Sequence, residues 1–134
     1  MTKYLASFAI TLTAFVLIDL VWLMGLARAT YVAEIGPLLR KVPNLPAAGV
    51  FYLLYAAGLV IFAVSPAVKD HSPLLALWLG GALGLVAYGT YDITNLSTLK
   101  NWSVTVTLAD LAWGTALTAV SATAGYLVVS LFRL

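Results

Sequence analysis

The sequence has no cysteine, a single histidine and very little charge: seven Lys and Arg and five Asp and Glu in 134 residues, or 9%. Without Cys there is no disulfide, no thiolate metal site and no Cys nucleophile. One His leaves no His-rich metal centre. Globular domains carry roughly 25% charged residues, so a soluble domain this poor in charge cannot cover its own surface. Disorder is excluded as well, because it needs low hydrophobicity and high charge. The net charge of +2 is too small and too scattered for a polyanion partner, so no nucleic acid is expected. What the chain does have is apolar side chains, at 63%. That is the composition of an integral membrane protein, and its first partner is the lipid bilayer.

A spanning helix needs about 20 largely apolar residues. Four runs qualify, at about 4–27, 46–65, 73–95 and 104–132. The expected fold is all-α: a polytopic membrane protein, a four-transmembrane-helix bundle forming one domain over 1–134. Pro73 suits the first turn of the third span, and Pro66 lies beyond the second. The first run is longer than the roughly 7–15 apolar residues of a signal peptide core and contains Asp19, so it reads as a span. In the connection 28–45, Tyr31, Val32, Ile35, Leu38 and Leu39 fall near helical spacing opposite Glu34, Arg40 and Lys41. This is the pattern of a short interfacial segment broken at Gly36-Pro37. A loop resting on the headgroups fits the same residues.

Four spans put both chain ends on one face, here face A. Face B then carries Arg28, Arg40, Lys41 and Lys100, against Lys3, Lys69 and Arg133 on face A. The positive-inside rule sees four against three, too even to fix the orientation.

Polar residues inside the spans are few, and their placement is informative. Asp19 lies late in span one, Asp92 late in span three and Asp110 early in span four. All three therefore fall in the B half, at depths of ~12, ~5 and ~9 Å by a rise of about 1.5 Å per residue. Tyr52 and Tyr55 of span two fall at similar depth. A charged Asp at mid-helix costs roughly 2.5–3.5 kcal/mol on insertion scales, so these groups should face the bundle interior. Asp110, Gly114, Thr118, Ser121 and Gly125 form one helical stripe, and Gly81, Gly84, Tyr88, Asp92 and Asn95 another. Small residues let helices approach, and polar ones then bond across the contact. Gly80 and Gly84 form a GxxxG pair, suited to internal packing or to a homodimer or partner membrane protein.

A tetrapeptide recurs, as Asp19-Leu20-Val21-Trp22 and Asp110-Leu111-Ala112-Trp113. At i and i+3 each Trp shares a face with its Asp, within reach of an indole N–H. The candidate pocket is thus Asp19, Trp22, Tyr52, Tyr55, Tyr88, Tyr91, Asp92, Asn95, Asp110 and Trp113. Trp78 and Trp102 read as interface anchors, and His71 as a solvated loop residue.

Tyr88-Gly89-Thr90-Tyr91-Asp92-Ile93-Thr94-Asn95-Leu96, followed by Thr98-Leu99-Lys100-Asn101-Trp102, resembles the signature of an uncharacterised bacterial membrane family, domain of unknown function 2177. Asp110-Leu111-Ala112-Trp113-Gly114-Thr115 resembles its second signature. Phe51-Tyr52-Leu53-Leu54-Tyr55 and Glu34-Ile35-Gly36-Pro37-Leu38 are similar to its pattern too. The resemblance implies a small, multi-pass protein of the bacterial inner membrane. The family's genes often neighbour lipid-modifying and photo-oxidative-stress genes, which implies a lipid-related role but no particular activity or cofactor.

Three readings of the Asp cluster stand side by side. The first is binding or transport of a small solute, a lipid or a proton, with the Asp residues as titrating or cation-binding groups. The second is a lipid-modifying enzyme, in which Asp19, Asp92 and Asp110 hold a hard cation or act as acid and base. No Asp-x-Asp spacing supports it. The third is structural: the polar groups hold the bundle together or dock a partner subunit.

Overall fold

A computed structural model describes residues 2–132. It contains five α-helices: α1 Thr2–Leu26, α2 Arg28–Ile35, α3 Leu45–Lys69, α4 Pro73–Thr98 and α5 Val104–Leu131. All but α2 are long and apolar enough to cross a membrane. At 25 to 28 residues they are about 38 to 42 Å long, beyond the roughly 30 Å of a hydrocarbon core. The connection after α1 is the short helix α2 followed by a tight turn at Gly36–Leu38. The helix stops where Pro37 removes a backbone donor.

Local chemistry explains where the helices begin. Asn44 accepts the backbone N–H of Ala47 at 3.1 Å, with Pro46 in the first turn of α3. Ser72 accepts that of Leu75 at 3.1 Å, with Pro73 opening α4. Ser103 accepts that of Val106 at 3.1 Å and opens α5. Each cap satisfies one of the donors that a helix start leaves free. The connections between α3, α4 and α5 are tight, and His71 and Asn101 turn the chain with φ of 52° and 62°.

Two helices contain a π turn. In α1, Ala27 N–H reaches back five residues to Trp22 O at 2.9 Å. In α3 the wide turn spans Val60–Val64, just before Pro66. Pro66 has no N–H to give and its ring crowds the preceding turn. The widened turn accommodates it, so α3 runs on to Lys69.

The helices meet through small residues. A Cβ on Gly80 would lie 2.8 Å from Ala122 Cβ and from Thr118 O, and one on Gly84 would strike the Gly114 and Thr118 backbone and side chain. The GxxxG pair is therefore occupied by the α4–α5 contact. Gly125 admits Thr11 and Ser7 of α1 to α5 in the same way. Leu59, Ala63, Val64, Ala67, Ala76, Ala122 and Tyr126 make a dry core in the A half. Of the face-A cations, Lys3 and Lys69 border a surface groove with His71. Arg133 lies outside the described residues.

Candidate functional site

In the B half the dry core gives way to a polar network around two carboxylates. Asp19, on α1, is 6% exposed. Tyr52 of α3 donates its hydroxyl to Asp19 Oδ2 at 2.7 Å. Trp113 of α5 donates its indole N–H to Asp19 Oδ1 at 3.2 Å. One carboxylate thus ties three helices together. Hydrogen bonds to a charged group contribute roughly 1.5–3 kcal/mol each, enough to offset the insertion cost of the Asp.

Asp110 is served from α2. Tyr31 donates its hydroxyl to Asp110 Oδ1, and Trp22 donates its indole N–H to the same Tyr31 oxygen at 2.9 Å. The sequence expectation paired each Trp with the Asp three residues before it. The structure crosses them. Trp113 serves Asp19, and Trp22 reaches Asp110 through Tyr31. The two indoles stack with ring centroids 4.4 Å apart and planes within 6°. The π turn at Trp22 helps to produce the crossing, because its extra residue re-aims the end of α1 and starts α2 in position to return Tyr31 to the bundle.

Tyr31 lies outside the spanning helices. Burial pushes its phenol above the ordinary tyrosine range, and the hydrogen bond to Asp110 pushes it the same way. The hydroxyl therefore stays protonated and stays a donor. Asp92 is different. It is fully buried, and neither carboxyl oxygen has a hydrogen bond of good geometry; the Trp102 indole near it donates to Thr107. Asp92 sits beside the Asp110 carboxyl. Tyr55 shares a hydrogen bond with Thr118 at 2.9 Å, and the Tyr88 ring occupies the place where a Gly114 side chain would be.

These groups surround a cavity of about 610 Å³. Of the sequence-predicted residues, Asp19, Trp22, Tyr55, Tyr88, Tyr91, Asp110 and Trp113 line it. Tyr52, Asp92 and Asn95 do not. Tyr52 holds Asp19 from the α3 side, Asp92 lies behind Asp110, and Asn95 is half-buried further along α4. The sequence reading missed Tyr31, Ile35, Leu39, Phe51 and Trp102, which also line the cavity. Tyr31, Ile35 and Leu39 recur at four-residue spacing, so their shared face was visible, but not that the bundle rather than lipid receives it. Trp102, expected as an interface anchor, donates to Thr107 Oγ1 at 3.1 Å and meets Tyr91 edge-on at 5.8 Å. Trp78 is 69% exposed. Among the described residues no three His, Cys, Asp or Glu side chains are grouped so as to hold a metal ion.

A family model described as "Predicted membrane protein (DUF2177)" matches residues 4–127. The chain belongs to that family. As a DUF2177 member it is a membrane protein, and its four long apolar helices are membrane spans. The part that matches DUF2177 includes every residue lining the cavity. No curated protein and no solved structure matches the chain.

Proposed function

We propose that this membrane protein binds, and in doing so can carry, a small molecule in the cavity of the B half. The carrying observation is the cavity itself. It has about 610 Å³ of space between helices, inside the roughly 300–1,000 Å³ range of small-molecule sites. It also places two carboxylates at its wall, Asp19 and Asp110. Ionisable groups inside a membrane bundle mark substrate or ion pathways more often than packing. The proposed setting is a bacterial inner membrane, which the family resemblance supports.

Purified protein examined by native mass spectrometry tests the reading. Wild type is expected to release a bound molecule that Asp19→Asn and Asp110→Asn lose or hold less tightly, while both variants remain folded with wild-type helicity. Protein that is folded yet empty in every preparation overturns it.

One observation favours a second reading, that the acids serve packing. Asp19 and Asp110 are bonded to side chains of three other elements. If the Asn variants fail only by unfolding, this structural role accounts for the cluster.

A further inference from the structure

We propose that the cavity accepts an organic cation with an apolar body, such as a tertiary amine, quaternary ammonium or phosphonium ion. This rests on the binding reading of the same cavity and adds the class of its ligand.

The first argument is the sign of the wall. Among the described residues that line it, Asp19 and Asp110 are the only acids, and there is no Lys, Arg or His. In a low-dielectric site such charges act strongly, and they disfavour an anion.

The second is donor accounting. On the wall, Trp22, Tyr31, Trp102 and Trp113 already donate within the protein, which leaves the Tyr88 and Tyr91 hydroxyls as the other ring donors. A carboxylate pair of oxygens offers about four acceptor positions, and Asp19 uses two while Asp110 uses one with Tyr31. At the two carboxylates the unused capacity is acceptor capacity. A ligand must bring positive charge or donors to use it.

The third is the aromatic content. Eight of the fifteen lining residues are Trp, Tyr or Phe. Cations bind over aromatic faces, best when desolvated, and quaternary ammonium ions are held by cages of such rings. Leu23, Ile35 and Leu39 complete the wall with apolar surface, which an inorganic ion cannot use and an apolar body can.

Tetraphenylphosphonium and tetraphenylborate test the proposal, because they match in shape and apolarity and differ in sign. Quenching of tryptophan fluorescence in detergent reports occupancy, since Trp22, Trp102 and Trp113 line the cavity. Lys69→Ala, on the opposite face, serves as the control for partition into micelles. Saturable binding of the phosphonium is expected, about tenfold or more weaker in Asp19→Asn and in Asp110→Asn, and unchanged in Lys69→Ala. Tyr91→Leu, which removes a lining ring without breaking a carboxylate bond, is expected to weaken it several-fold. It carries the test if an Asn variant does not fold. Saturable binding of the borate at equal strength overturns the cation class and leaves the cavity a binding site. Saturable binding of neither ion by folded wild type also overturns the cation class. The binding reading falls separately, on the mass-spectrometry result above.

Discussion

Trp113 donates its indole N–H to Asp19 on another helix, although Asp110 stands three residues before it on its own helix. The bond makes the repeated tetrapeptide an inter-helix clamp. Trp113→Phe keeps a ring against Trp22 but removes the donor, and is expected to cost about 1.5–3 kcal/mol of stability. In a double-mutant cycle by thermal or chemical unfolding, it should couple to Asp19→Asn by about 0.5–3 kcal/mol. Coupling to Asp110→Asn should be distinctly smaller. Equal coupling to both acids would show that the crossing is not what holds the clamp.

Tyr31 gives a pH prediction. Its phenol lies above the ordinary tyrosine value of about 10, owing first to burial and then to Asp110. A folded-state value above the unfolded one means that the folded protein keeps this proton longer. The stability it contributes is fully present below about pH 10 and is lost as pH rises towards the folded value. Thermal unfolding from pH 8 to 11.5 should show wild type losing stability above pH 10, and Tyr31→Phe losing less. Phenolate absorbance should show one fewer late-titrating tyrosine in the variant. Parallel pH curves for the two proteins would contradict the assignment.

The glycines divide cleanly. Gly84→Ala and Gly114→Ala put a Cβ into the α4–α5 contact, the second into the Tyr88 ring. Each is expected to destabilise by about 1–3 kcal/mol. Gly49→Ala meets nothing within 4 Å and should be neutral or mildly stabilising. Melting temperatures in one detergent decide it, and equal effects at all three positions would refute the close packing.

Neither oxygen of Asp92 has a hydrogen bond of good geometry. Asn at this position supplies N–H groups that can donate to the neighbouring Asp110. Asp92→Asn is therefore expected to raise stability by roughly 1 kcal/mol, since an unsatisfied buried group costs about 1–3 kcal/mol. If the acid is kept for the ligand, phosphonium affinity falls in the same variant. A drop in stability would mean that Asp92 is satisfied in a way the fold does not display.

Much of this architecture was legible in the sequence. The apolar runs marked the helices, Pro73 marked a start, and Asp19, Asp92 and Asp110 were placed in one half by counting residues. The stripe Asp110, Gly114, Thr118, Ser121 and Gly125 is buried throughout. What was not legible depends on where separate elements meet. Tyr31 enters the site because α2 folds back, and neither its own residues nor its period says which neighbour receives it. Trp102 reads as an anchor from its setting at a span's end, which does not say that it also lines the cavity. The exchange of partners between Trp22 and Trp113 accompanies the π turn, whose extra residue leaves no compositional mark.

That turn gives Met24, Gly25 and Leu26 an unusual tolerance. Met24 and Leu26 are 68% and 70% exposed, and a Cβ on Gly25 would meet nothing, so apolar exchanges there should pass unnoticed. Their number is another matter. Deleting one of them would close the wide turn into an ordinary α-helical one and remove the extra residue that re-aims the end of α1. α2 would swing away and Tyr31 with it. Along this stretch the chain is permissive about identity and strict about length, so a lost codon should be far more harmful than a changed one.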